Sequence, residues 1–188
     1  RGNDLIWIMD DDTIVKKDTL LKMVEKIQYI GLPNLGYLCS NVLWKDETPC
    51  LMNVPRVHKV FNDSLENNMI RIQNSTFVSM LISRKAIKEC GLPIKEFFIW
   101  SDDTEFTKRL GKKFKNYLVS DSIVIHKMNN NLGADIIRDT QRLERYVFSY
   151  RNKFYIGKKY GSKELIKYLL MFIMVMFKVI LTSEKKVK

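Results

Sequence analysis

Leu5-Ile6-Trp7-Ile8-Met9 is an unbroken apolar run that ends at Asp10-Asp11-Asp12. A short continuous apolar stretch predicts a strand buried on both faces, the kind found in parallel α/β sheets. Beyond the acids the period changes: Leu20, Leu21, Val24, Ile27 and Ile30 recur at helical spacing. Thr13–Ile30 therefore reads as a helix starting near Lys17, with Asp18 at its head and Gly31 and Pro33 at its end. Leu35–Trp44 and Ser75–Ser83 read as strands, and Arg84–Cys90 as a short helix stopped by Gly91 and Pro93. Lys45–Asn68, rich in Asn, Asp and Pro, reads as a long surface excursion, and loops of that length are often functional. Phe97-Phe98-Ile99-Trp100 leads into a helix running to Lys113, with Ser101 as a cap and acids in its first turn. Tyr117–Ile125 predicts one more strand, which delivers His126, and a helix over Ile136–Ile156 follows a polar loop at Asn129–Gly133. This order predicts an α/β fold with a mixed, mostly parallel sheet flanked by helices.

The last element has a different pattern. Leu165–Leu181 is almost wholly apolar yet contains Lys167 and Lys178. At about 100° per residue, Lys163, Lys167, Lys178 and Lys185 share one stripe, opposite Leu165, Leu169, Phe172, Met176 and Val179. The apolar stretch is shorter than the roughly 20 residues a spanning helix needs, so it predicts a basic amphipathic helix lying in a membrane interface.

The chain has 188 residues, 46% hydrophobic and 28% charged, which is enough for one domain with a core and excludes wholesale disorder. A net charge of +11 changes the picture, because such an excess attracts nucleic acid, nucleotides or an anionic membrane surface. Cys39, Cys50 and Cys90 are odd in number, widely spaced and fit no zinc pattern, which predicts buried thiols in a reducing compartment. The chain opens at Arg1-Gly2-Asn3, close to a strand that looks central, with no initiator Met or signal peptide. Residues of the same domain are therefore expected upstream.

Ligands of open α/β sheets bind outside the carboxyl ends of strands, which is where Asp10-Asp11-Asp12 falls. In extended backbone Asp10 and Asp12 point to one side and Asp11 to the other, and two carboxylates so placed can share one hard divalent cation. Trp100-Ser101-Asp102-Asp103-Thr104-Glu105 and then His126 follow, each after an apolar run. Together they describe a metal site with a carboxylate base beside it.

Trp7-Ile8-Met9-Asp10-Asp11-Asp12, Trp100-Ser101-Asp102-Asp103-Thr104-Glu105-Phe106 and Ile125-His126 resemble, in that order, the motifs of family 2 glycosyltransferases of the GT-A fold. Bacterial galactofuranosyl- and rhamnosyltransferases are the nearest in flavour. Weaker echoes are Leu81-Ile82-Ser83-Arg84 before Gly91-Leu92, and Tyr150-Arg151-Asn152. The resemblance implies that residues 1–156 are the C-terminal portion of the catalytic domain, without the nucleotide-binding part, and that 157–188 are a membrane-associated helix and tail. It implies Mn²⁺ or Mg²⁺ held by Asp10 and Asp12, with His126 as a further ligand and Asp11 in the same cofactor-binding motif. It also implies Asp103 as general base, Asp102 and Glu105 orienting the acceptor or tuning that base, and Trp100 on the acceptor sugar. Ser101 stands between Trp100 and the acids where the galactofuranosyl relatives have Trp adjacent.

The implied reaction is transfer with inversion from a nucleoside-diphosphate sugar to a glycan or lipid-linked acceptor in cell-surface polysaccharide synthesis. The implied place is the cytoplasmic face of the cell membrane, peripherally bound. Two other readings compete. One is two-metal nucleotidyl transfer, which needs more carboxylates and a nucleic-acid track; the basic and aromatic residues form no interleaved stacking surface, so no nucleic-acid partner is expected. The other is a non-catalytic scaffold at the membrane.

Overall fold

The structure, a computed structural model, describes residues 2–133 and 135–182. The described chain falls into two compact units. The first comprises the described residues of Arg1–Pro93 with Asp103–Gly133, and the second those of Ile94–Asp102 with Ala134–Lys188.

Among the described residues all seven strands belong to the first unit: β1 (Leu5–Met9), β2 (Thr13–Val15), β3 (Leu35–Leu43), β4 (Arg56–Val57), β5 (Met69–Asn74), β6 (Ser79–Ser83) and β7 (Lys115–His126). They make one sheet in the order β1-β6-β3-β7-β5-β4, with β2 on β7. Among the described residues only β3 and β7 pair in parallel, and every other strand pairing is antiparallel. The α/β class expected from the sequence stands, but the mostly parallel sheet does not. An apolar run reports burial and not strand direction, and the irregular 45–68 excursion with β5 returns the chain antiparallel to β7.

β3 shows why both faces need cover. Tyr37 and Cys39 enter one core with Met80, Ile82, Phe106 and Leu110, while Leu35 and Leu38 enter another with Met23, Leu81, Tyr117 and Val119. The second core lies under α1 (Thr19–Ile30), and the first against α2 (Arg84–Cys90) and α3 (Asp102–Leu110). β1 departs from expectation. Among the described residues it pairs only with β6, and Ile6 and Met9 are 41% and 45% exposed, so it is not buried on both faces.

Two local patterns were also misread. Thr13–Val15 is a strand rather than the start of the helix, which begins at Thr19. Met69–Asn74, to which the sequence reading gave no element, is a strand.

A line of buried hydroxyls crosses the sheet. Trp7 Nε1 donates to Ser79 Oγ at 3.2 Å, Ser79 meets Ser40 at 2.8 Å, and Ser40 meets Ser122 at 3.0 Å. Ser122 Oγ donates to the Thr19 carbonyl at 2.9 Å, and Thr19 Oγ1 donates to the Ile123 carbonyl at 2.8 Å. Trp7 can only donate and a carbonyl can only accept, so the protons run in one direction from β1 to α1.

The second unit carries α4 (Leu143–Tyr160) and α5 (Ser162–Thr182). α4 starts later than the Ile136 expected from sequence. Gly157 lets the helices approach closely, since an added Cβ would lie 2.9 Å from Leu165 Cα. Tyr150 meets Phe172 edge to face at 5.3 Å. α5 is 21 residues, longer than the apolar core suggested, and is long and apolar enough to cross a membrane by length and composition. Leu165 and Val179 are half-buried, whereas Ile166, Leu170, Met174, Phe177 and Leu181 are exposed. Lys163, Lys167 and Lys178 are exposed, and Lys185 lies outside the described residues.

Replacing Ser40 with Ala removes the shared partner of Ser79 and Ser122, all three at most 2% exposed. Stranding buried hydroxyls in this way costs about 1–3 kcal/mol. Denaturant unfolding of Ser40→Ala should show a loss of that size, and a stability equal to wild type would contradict the relay.

Candidate metal centre

The three acids form a turn between β1 and β2. Thr13 N donates to the Asp10 carbonyl at 3.2 Å and closes it. The Val78 carbonyl accepts from Asp10 N and from Thr13 Oγ1, both at 3.3 Å, which ties the turn to the end of β6. On its far side Thr13 is paired with His126, and Lys127 N donates to the Asp12 carbonyl at 3.0 Å. The strand ends are thereby stitched together by backbone bonds and the Thr13 hydroxyl.

This stitching gathers Asp10, Asp12 and His126 into a group that could hold a metal ion, with one ligand atom from each residue within 4.8 Å of the others. His126 Nε2 lies 2.9 Å from Asp12 Oδ1 and 3.9 Å from Asp10 Oδ2. Donors about 2.1 Å from an octahedral ion sit about 3.0 Å apart when adjacent and about 4.2 Å apart when opposite, so the spacing fits one cation. The His126 side chain is 8% exposed and those of Asp10 and Asp12 are 47% and 45% exposed. A buried nitrogen ligand with open carboxylates leaves coordination positions facing solvent, as a catalytic metal site requires. Asp11 is exposed and is not a member of the group.

Sequence reasoning missed the support behind His126. The Asn53 side-chain oxygen lies 2.8 Å from His126 Nδ1 and accepts its proton, leaving Nε2 to face the carboxylates. Asn53 Nδ2 donates to Thr76 Oγ1 at 3.0 Å, which braces the amide from its other end. Asn131 holds the neighbouring strand of loop, accepting from Leu51 N at 2.8 Å and donating to the Pro49 carbonyl at 3.0 Å. The only signal available was the length of the 45–68 excursion.

Cys50 Sγ lies 3.9 Å from His126 Nδ1 but is outside the ligand group. Burial pushes its thiol up, and pushes Cys39 up to about 12, so both remain protonated and inert near neutrality. The expectation of buried thiols holds for Cys39 and Cys50, while Cys90 is half-buried.

The acids at the head of α3 are in varied settings. Asp103 is half-buried, and its Oδ1 accepts from Thr104 N and, at 3.1 Å, from Thr104 Oγ1. Glu105 is fully buried and its carboxylate forks onto Arg109, at 3.1 and 3.2 Å from Nε and 2.9 Å from Nη2. Arg109 in turn donates to the carbonyls of Cys90 and Leu92, so Glu105 anchors the α2–α3 connection.

In the second unit Asp102 opens α3 and is half-buried. The Trp100 ring is already engaged, edge to face with Tyr146 at 4.9 Å and under the Arg142 guanidinium at 5.4 Å. Arg142 and the Tyr146 hydroxyl both bond Asp139, at 2.7 and 3.4 Å. Burial first, and Asp139 beside it, hold the Tyr146 hydroxyl well above its ordinary range.

Asp10→Ala, Asp12→Ala or His126→Ala should abolish Mn²⁺ binding read by electron paramagnetic resonance titration, while Asp11→Asn should keep most of it. Asn53→Ala should weaken binding about 10–100-fold through the histidine alone. Equal loss at Asp10, Asp11 and Asp12 would contradict the assignment.

No family model matches the chain, and no curated protein matches it. What the chain can do is therefore read from these side chains.

Proposed function

We propose that the chain belongs to a metal-dependent glycosyltransferase that moves a sugar from a nucleoside-diphosphate donor to a hydroxyl of a glycan or lipid-linked acceptor. The observation that carries this reading is the convergence of Asp10, Asp12 and His126 at adjoining strand ends. Asp10, Asp12 and His126 would hold the ion, Mn²⁺ or Mg²⁺, and the imidazole tilts the choice toward Mn²⁺. When bound, the ion neutralises charge on the departing diphosphate.

The chain's own residues do the rest. Asp103 accepts the proton of the acceptor hydroxyl as it attacks the anomeric carbon, a single displacement that inverts configuration. Asp102 lies next to Asp103 in the first turn of α3, where the helix N-terminus favours carboxylates. Trp100, half-buried just before α3, is the residue this reading gives to the acceptor sugar. Glu105 supports α3 through Arg109. Two-metal nucleotidyl transfer finds less support, because the described ligand group holds two carboxylates and one imidazole.

α5 supplies the membrane address on this reading. An apolar helix with one face on α4 and the rest exposed finds its burial in lipid, and its lysines meet anionic headgroups on the cytoplasmic face.

Chelator should stop turnover of nucleotide sugars, and Mn²⁺ should restore it. Asp103→Asn should lower turnover on the order of 10²–10⁴-fold with donor affinity nearly unchanged, since Asp103 acts on the acceptor. Asp103→Asn acting chiefly on donor binding would move the base to Asp102.

Neutralising Lys163, Lys167 and Lys178 should release the protein from anionic vesicles, because each contributes about 1 kcal/mol there and salt screens it. Full retention on vesicles at high salt after the three substitutions would instead mean a spanning helix.

A further inference from the structure

The segment that enters α3 adopts a backbone that L-residues rarely take. Phe98, Trp100 and Ser101 have φ of 59°, 60° and 69°, three left-handed residues within four positions and none of them glycine. Such a turn persists only where its surroundings over-determine it.

Aromatic rings of α4 pack on its side chains, and two neighbouring residues of the same helix hold its backbone. Asn152 is 1% exposed, and its Nδ2 donates to the carbonyls of Trp100 at 2.8 Å and Phe97 at 3.0 Å and reaches that of Ile99 at 3.5 Å. Its Oδ1 accepts from Arg151 Nε at 3.0 Å and Nη2 at 2.9 Å. A guanidinium only donates, so this contact fixes which end of the amide faces the turn. Arg151 Nη2 also donates to the carbonyls of Glu96 and Phe97. Four carbonyls of one short segment are thus satisfied by one residue pair.

We propose that Asn152 is a positioning residue: its amide holds the left-handed turn that sets Trp100 and Asp102 for the acceptor. The proposal rests on the reading that the head of α3 serves a sugar acceptor; the clamp itself does not. An amide is required. A carboxylate of the same shape turns an oxygen toward carbonyl oxygens, and Ala leaves them without a donor.

The test uses the full chain labelled with fluorotryptophan, whose three ¹⁹F resonances report Trp7, Trp44 and Trp100, the last identified by Trp100→Phe. In Asn152→Asp and Asn152→Ala the Trp100 resonance should shift while those of Trp7 and Trp44 stay. Arg151→Lys, a milder change, should move it less in the same direction and serves if the Asn152 variants fold poorly. Mn²⁺ binding should match wild type, which also reports that the first unit is folded. Turnover with a panel of nucleoside-diphosphate hexoses should fall on the order of 10²-fold with donor KM unchanged, the size expected for misplaced reacting groups. A Trp100 resonance unmoved in every variant overturns the clamp, and a shifted resonance with wild-type turnover overturns the positioning role. A wild type that binds Mn²⁺ yet turns over no nucleotide sugar defeats the glycosyl-transfer reading instead, and the Trp100 resonance then decides the clamp alone.

Discussion

The structure of the first unit depends on one constraint: a proton-ordered line of hydroxyls through the middle of the sheet. Trp7, Ser79, Ser40 and Ser122 join β1 to β6, β3 and β7, and Thr19 carries the line into α1. Hydrophobic packing is tolerant of small slips, whereas a line of donors and acceptors satisfies itself in only one register. That register matters at the strand ends. Ser79 is paired with Met9, the residue before Asp10, and Ser122 lies four residues before His126 on the same strand. Fixing the serines fixes where the acidic turn and the histidine emerge.

Much of this was legible in the chain, for identifiable reasons. The helix Arg84–Cys90 and the strands at Leu35–Leu43 and Lys115–His126 carry strong patterns and clear stops, and they formed where expected. Asp10, Asp12 and His126 were also legible as a group that could hold a metal ion, but alternation along a strand is not what gathers them. Side-chain alternation along an extended strand does not bring Asp10 and Asp12 together, since the three acids form a turn. The pairing of Thr13 with His126 does it, and a three-residue strand leaves almost no periodic signal. Asn53 was illegible because its partners, His126 and Thr76, are distant in sequence. Sheet direction was misjudged for a similar reason. The apolar run Leu5–Met9 states that a strand exists, but its antiparallel partner β6 is set by the path of the chain in between.

The two units divide the chemistry of the charge as well. In the first, Glu105 shows how a carboxylate can look catalytic in sequence yet lie buried against an arginine, where removing either partner would strand a charge. In the second, α5 leaves a broad apolar surface and three lysines exposed.

The central claim is that Asp10, Asp12 and His126 together hold one divalent ion that engages a nucleoside diphosphate. Crystals grown with Mn²⁺ and UDP, with diffraction collected at the manganese absorption edge, test it most directly. A single anomalous peak within bonding distance of all three side chains and of a diphosphate oxygen is the predicted result. A peak elsewhere, or a bound diphosphate with no peak beside His126, would contradict the account.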